Sequence, residues 1–355
     1  MAKLDYYTRS IRGLSYSRRL VLHSCPHKFE LAGSYNLLSR TNSITFAFGH
    51  AVAMGMQVTI AGSKFNDAIL ATWLEYDHDL NDNGTASEQS SKKSVHHAVL
   101  ATELFYKKYH AGAYPYLDGW EVAEFKDPVT GKVRKAIELT YVIDIVDGFT
   151  EEGHIDLVLY NPTKNRYMVV EIKTTGGYKV DEASYKYSDQ PLGYGIVLDY
   201  IAAQQGGTAS FDILYLVWKS RSKELVALPF SKSIRDRARW FQEVLMDVEY
   251  ISNCEQTGHF PHRGESCFSY FRPCEYFSEC KSTRETLLAL SEQRFKEQEE
   301  EQFAKMVDPT FKFTIEELLA RQNELAEDIA QGKSLATDVD SVDLLFQAST
   351  PSIME

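Results

Sequence analysis

The 355-residue chain lacks several features that would each define a class of protein. No apolar run approaches the roughly 18 residues of a membrane span. The opening residues carry no apolar segment followed by a small-residue cleavage site, so the expected compartment is the cytoplasm, or the host cytoplasm for a viral protein. No Gly-x-x-x-x-Gly-Lys-[Ser/Thr] occurs, which excludes a phosphate-cradling motor loop. Cysteine is scarce, at five, and in a reducing compartment those thiols point to metal rather than to disulfides. A surplus of positive charge is missing too. The formal net charge is −12, which taken alone argues against a generic nucleic-acid binder.

That charge is unevenly spread. Residues 1–60 hold seven basic and two acidic groups, a net of +5. Residues 281–355 hold 8 basic and 16 acidic groups, a net of −8. Acidic blocks of this kind are solvated tails or partner-binding segments. The total therefore says little about the face that meets a substrate.

Apolar periodicity predicts a short helix from about residue 14, a turn at Pro26 and a second helix to about Ser34. One long helix, or one broken around Gly62, is expected over 47–76, a polar loop over 77–93 and a helix over 94–111. The pattern then changes. Residues 119–126, 133–149, 153–160 and 166–173 are rich in β-branched and aromatic side chains, with turn signals at Asp127-Pro128 and Asn161-Pro162. A helix over 183–204, a strand pair over 211–219 and 223–229, and an amphipathic helix over 231–252 follow. Charged helices are expected over 284–303 and 314–331, and a flexible acidic tail over 332–355. The whole reads as α/β, a mixed sheet with helices on its flanks.

Within this sheet three polar residues interrupt apolar runs. Asp156 lies in the strand 153–160, and Glu171 and Lys173 lie one residue apart at the end of 166–173. Side chains alternate along a strand, so Glu171 and Lys173 share a face. If the two strands form a hairpin, Asp156 comes close to Glu171. Two carboxylates supply hard oxygen ligands for Mg²⁺ or Mn²⁺, and a neighbouring lysine can orient water or stabilise charge in a phosphoryl transition state. Taken alone, the spacing equally describes an exposed hairpin with an ordinary Glu–Lys pair.

The stretches Gly153-His154-Ile155-Asp156-Leu157-Val158 and Val169-Val170-Glu171-Ile172-Lys173-Thr174 resemble the core of the PD-(D/E)XK nuclease superfamily. Gln190 and Tyr194 form a Gln-x-x-x-Tyr on a predicted helix, one turn apart and on one face, as in the RecB-like exonuclease branch. The N-terminal Leu14-Ser15-Tyr16-Ser17-Arg18 and Cys25-Pro26-His27-Lys28-Phe29 resemble the entry helix of that branch. The resemblance spans about residues 14–280 and implies a restriction-endonuclease-like core. Asp156 and Glu171 would hold the metal, Lys173 would serve the attacking water or the transition state, and Gln190 and Tyr194 would support substrate or site. The branch also places a histidine four residues after a glycine. In that branch the histidine contributes to metal binding; here Gly49 is followed by Ala53 at that place, and His50, one turn earlier, is the candidate third metal ligand beside Asp156 and Glu171, with a structural histidine as the alternative. Glu121 and Glu124 are candidates for an extra acid.

Cys267-x6-Cys274-x5-Cys280, with the distant Cys25, resembles the iron–sulfur staple of AddB-type and CRISPR-associated RecB-like nucleases. That resemblance implies a four-iron–four-sulfur cluster with a structural role; zinc and unligated thiols are the alternatives, and Cys254 is a possible replacement ligand. Aromatic and basic residues interleave at Tyr16, Arg18, Arg19, His27 and Lys28, and again at Tyr178, Lys179, Tyr185, Lys186 and Tyr187. Such mixtures suit single-stranded nucleic acid, although core packing and a solvated face explain them as well.

The expected organisation is an N-terminal helical region (1–112), a nuclease core (113–252), a Cys-rich closure (253–283), a charged helical extension (284–331) and an acidic tail (332–355). The expected activity is a Mg²⁺- or Mn²⁺-dependent DNA exonuclease on single strands or ends, in recombination, repair or phage DNA metabolism. A single-strand annealing protein, a single-strand-binding protein or a helicase would be its partner, and no membrane is involved. The rivals are a structure-specific or nicking endonuclease and a catalytically weak DNA-end adaptor acting through its tail.

Overall fold

The computed structural model describes residues 11–33, 35, 44–81, 93–126, 131–207, 212–269, 272–292 and 311–332. The expected turn at Asp127-Pro128, most of the 77–93 loop, the later part of the 284–303 helix and the tail lie outside them.

In chain order the elements are β1 (Gly13–Leu14), α1 (Tyr16–Ser24), α2 (Pro26–Gly33), α3 (Ile44–Ile60), α4 (Phe65–Asn81), α5 (Val95–His110), β2 (Glu121–Val122), β3 (Glu124–Lys126), β4 (Val133–Lys135) and β5 (Ile137–Asp144). There follow β6 (Thr150–Asn161), β7 (Arg166–Thr175), α6 (Glu182–Lys186), α7 (Gln190–Gln204), β8 (Asp212–Lys219), β9 (Glu224–Ser231), α8 (Ile234–Thr257), β10 (Phe268–Ser269), β11 (Arg272–Pro273), β12 (Phe311–Thr314) and α9 (Ile315–Ala330). The chain divides into two compact units. The first is Met1–Arg40, Thr140–Gly153 and Arg239–Glu317, and the second is Thr41–Leu139, His154–Ala238 and Leu318–Glu355.

In the second unit, β6 and β7 form an antiparallel hairpin with Leu157 opposite Val170 and Asn161 opposite Arg166. β8 lies parallel to β7, with Glu171 opposite Tyr215 and Lys173 opposite Val217. β9 returns antiparallel to β8. A parallel pair needs a crossover, and α7 supplies it. The core of this unit packs Leu157, Leu159, Val170, Ile172, Leu214 and Leu216 with Ala47, Phe48, Val52 and Met56 of α3 and with Ala98, Ala101 and Phe105 of α5. Close helix approach is what Gly55 permits: a Cβ there would collide with the side chains of Thr72 and Thr102, which bond each other at 2.8 Å. The expected break at Gly62 is a helix end. Gly62 adopts φ +86°, and the amides of Gly62 and Ser63 return to Thr59 and Val58, the pattern of a glycine C-cap.

The helix expected over 183–204 is two. Pro191 at the start of α7 has no N–H to donate, and its ring would clash with the carbonyl of residue 187 in a continuous helix. The buried Lys232 ammonium binds the carbonyls this break leaves, those of Lys186 (2.5 Å) and Ser188 (2.9 Å). Likewise the strand expected over 133–149 ends at Asp144, before a turn in which Asp147 and Gly148 both take positive φ.

In the first unit, Ser15 is extended and its hydroxyl accepts the Arg18 amide at 3.4 Å, capping α1. Cys25 is extended, as a residue before proline should be, and Pro26 opens α2 where its missing N–H costs nothing. β1 runs parallel to the start of β6, and β12 parallel to the end of β5. Behind α1 the buried Arg19 and Asp247 form a polar cluster that the exposed His23 joins at its edge. Arg19 Nε donates to Asp247 Oδ2 at 2.6 Å, and His23 Nε2 meets Asp247 Oδ1 at 2.7 Å.

Glu151, 3% exposed, sits beside this cluster, and its carboxyl is pushed up to about 7, first by burial and against the pull of Arg19. A carboxyl with a raised folded pKa favours folding fully below its ordinary value of 4.5 and loses that contribution as pH rises through about 7. Glu151→Gln should therefore match wild-type stability at pH below about 4.5 and exceed it increasingly towards pH 8, by up to about 3 kcal/mol. Denaturant melts across that range check this; a difference that does not vary with pH contradicts it.

Candidate active site

The site is built on the β6–β7 hairpin of the second unit. Asn161 Oδ1 accepts the Lys164 amide at 3.0 Å, and Asn165 takes φ +49°, a conformation asparagine tolerates, so the four-residue connection 162–165 closes without strain. The last ladder pair is Leu157 with Val170. One step further along stand Asp156 and Glu171. There the Ile172 amide donates to Asp156 Oδ2 at 2.8 Å, so a side chain takes the place of a backbone acceptor. Glu171 is fully buried and pairs with Lys173, Nζ to Oε1, at 2.5 Å. Its Oε2 is buried with no hydrogen-bond partner.

The charges are strongly coupled. Burial raises the Glu171 carboxyl, the Asp156 carboxylate raises it further, and Lys173 opposes both. Burial likewise raises Asp156, against Lys173 and the Ile172 amide. For Lys173, burial alone would lower the ammonium, but Glu171 and Asp156 outweigh it and hold it above its ordinary range. The lysine is thus a firm cation between two acids that resist ionising together. A divalent cation would stabilise both carboxylates in their charged form.

Two residues of this site were not read from the sequence. Gln57 of α3 is fully buried, and its Nε2 donates to Glu138 Oε1 at 2.6 Å and to the Asp156 carbonyl at 2.9 Å. Glu138, at the start of β5, has φ +48°. Protein atoms crowd the inner side of its carboxyl and, with Asp156, push it up to about 7, while its outer side stays open to solvent. The signals were faint: one amide in the apolar run Ile44–Ile60 and one acid in a β-rich run. The acids considered instead, Glu121 and Glu124, are both exposed, on β2 and β3.

His50 is exposed on α3, two turns before Gln57 and on the same face, and its charge acts on both Asp156 and Glu138. Gln190 Nε2 donates to the Tyr194 hydroxyl at 2.9 Å, so this pair shares a face as its spacing predicts. Tyr185 lies close enough to feel the Lys173 charge, and its ring packs edge-on to Tyr215 at 5.0 Å. Tyr178 and Tyr187 are not core residues: they are 72% and 74% exposed, and the Arg221 guanidinium lies over the Tyr178 ring at 4.8 Å.

The four expected cysteines meet in the first unit. Cys25, Cys267, Cys274 and Cys280 line one cavity with His27, Lys28 and His262, and none is in a disulfide. Burial raises the Cys280 thiol, and the other three thiols add to it. Cys280 Sγ is 3.4 Å from His262 Nδ1, and the rings of His262 and His27 lie 4.0 Å apart. Cys254 does not line the cavity; it lies buried on α8 beside Tyr250.

An aspartate on one strand of a hairpin, a Glu-x-Lys on the next, and a parallel crossover through a helix define a nuclease core. The chain belongs to the PD-(D/E)XK nuclease superfamily, whose family model matches residues 13–341. It is thus a nuclease of the metal-dependent kind, with DNA as the substrate that the family implies. No curated protein matches it. Among solved structures it is similar to a candidate exonuclease from Eubacterium rectale, with 11% identity, a TM-score of 0.48, and coverage of 78% of this chain and 91% of that one. Among the described residues no helix is long and apolar enough to cross a membrane.

Proposed function

We propose that the protein is a Mg²⁺- or Mn²⁺-dependent DNA exonuclease acting on single strands or ends. The observation that carries this reading is the fully buried Glu171, paired with Lys173 and next to Asp156, with one carboxylate oxygen left without a partner. An all-oxygen donor set with an open valence suits a hard divalent cation. When bound, such an ion activates water and offsets negative charge on a phosphoryl oxygen. Asp156, fixed by the Ile172 amide, and Glu171 would hold it. The Lys173 ammonium would donate to the non-bridging oxygen on which charge develops. Gln190 and Tyr194, tied to each other, would support the substrate or the site, and His50 would lend its charge to the acids.

Exposed Tyr178 and Tyr187, with Arg221 beside the first, favour single strands, because stacking tolerates any base and needs it unpaired. The adaptor reading is disfavoured by the complete Asp156, Glu171 and Lys173 set. A nicking or structure-specific endonuclease would use the same groups.

The four thiols of the first unit would carry a four-iron–four-sulfur cluster with a structural role, since soft thiolates in one cavity suit it. A zinc ion is the second reading, favoured by His27, His262 and Cys280, whose ligand atoms lie within 4.8 Å of one another.

The activity is tested with labelled linear and circular DNA, single- and double-stranded. Linear single strands should be degraded with Mg²⁺ or Mn²⁺ and circles spared, and Lys173→Ala should slow the reaction about a hundredfold or more. Tight binding without cleavage in every metal contradicts the enzyme; cleavage of circles contradicts the exonuclease. The cluster is tested on anaerobically purified protein, which should be brown, with about four iron and four sulfide per chain, and should lose both in Cys274→Ser. A colourless protein with stoichiometric zinc contradicts it.

A further inference from the structure

We propose that Glu138 is a third carboxylate ligand of the divalent ion at the Asp156–Glu171 centre, and that Gln57 is the residue that positions it. This rests on the metal-centre reading above and adds two residues from elements outside the hairpin.

Geometry places them there. A single amide nitrogen of Gln57 bonds both the Glu138 carboxylate (2.6 Å) and the backbone oxygen of Asp156 (2.9 Å). That bridge holds the Glu138 carboxylate on the Asp156 side of β6. Gln57 has no exposed surface, and its Oε1 is buried without a partner. Burying an amide in the apolar α3 carries a cost that packing does not require, since leucine or methionine would fill the volume. The backbone points the same way. Glu138 holds a left-handed φ of +48° at the start of a strand, a strained conformation for a non-glycine residue that surrounding interactions must hold in place. Its side chain is open to solvent on one side, so it is not core filler.

The charges favour an occupant. Asp156 acts on Glu138, and both act on Glu171. With all three ionised, the Lys173 ammonium would leave two negative charges uncancelled, and burial and mutual repulsion hold the acids towards their neutral forms. A divalent cation would cancel those charges. The buried Glu171 Oε2, which has no hydrogen-bond partner, is a second, independent donor oxygen suited to a cation. All three groups offer hard oxygen, the donor type Mg²⁺ and Mn²⁺ take.

The experiment is calorimetric titration of the full chain with Mn²⁺, without DNA. Wild type, Glu138→Gln, Glu138→Asp, Gln57→Leu, Glu171→Gln and the Glu138→Gln/Gln57→Leu double variant are compared, each shown folded by its melting curve. Glu138→Gln should weaken Mn²⁺ binding about 10-fold or more, and Glu138→Asp should recover part of the loss. Gln57→Leu should weaken binding alone but add nothing to Glu138→Gln, because it acts through that carboxylate. A merely structural glutamine would instead give additive losses, which overturns the positioning role. Wild-type Mn²⁺ affinity in Glu138→Gln, with binding lost in Glu171→Gln, overturns the ligand role and leaves the metal centre standing. Failure of the wild-type protein to take up Mn²⁺ overturns both readings together.

Discussion

Glu171, fully buried, and Asp156, half-buried, are neighbours on antiparallel strands, with Lys173 paired to Glu171 and its charge acting on Asp156. Two carboxylates in such a place cost more than one ammonium returns. The surrounding structure is arranged to tolerate that cost. The hairpin register sets the two acids side by side, and a slip of one residue between the strands would put Asp156 on the opposite face from Glu171 and Lys173. The Ile172 amide holds one oxygen of Asp156, and the parallel β8 covers β7 on its far edge. α3 packs across the same strands and brings Gln57 to the Asp156 carbonyl. The remaining imbalance is what a divalent ion would remove, so in the proposed reading metal affinity and hydrolysis would share one physical origin.

How much of this could be read from sequence depended on distance along the chain. The hairpin was legible because its strands alternate and its connection is four residues with Pro and Asn in it. Asp156, Glu171 and Lys173 followed, since their relation is local to that hairpin. That Gln190 and Tyr194 share a helix face was legible for the same reason, at one helical turn, while the bond between them was not. Pro191 was the available signal for the split of the helix over 183–204; an apolar periodicity that continues through it conceals the break. Glu138 and Gln57 were not legible at all, because they meet across 81 positions and no periodicity connects an amide in α3 with an acid in β5. Expectation fell on Glu121 and Glu124, which stand on the strands before β5 but face solvent. Nor could spacing alone say that Cys254, close in sequence to Cys267, lies away from the cavity that Cys25 joins from far off.

The two candidate centres differ in donor chemistry as well as in place. One offers carboxylate oxygens around an ammonium, and the other offers thiols with two imidazoles at the rim. Hard divalent ions and soft iron or zinc would therefore sort between them without competition. Each can be emptied or altered separately, so the nuclease and cluster readings stand or fall independently.

The most direct measurement of the central claim is the anomalous scattering of a crystal soaked in Mn²⁺. A peak about 2.0–2.2 Å from carboxylate oxygens of both Asp156 and Glu171 is the predicted result. A protein that binds Mn²⁺ only elsewhere, with Glu171 still closed on Lys173 and no peak beside Asp156, would contradict it.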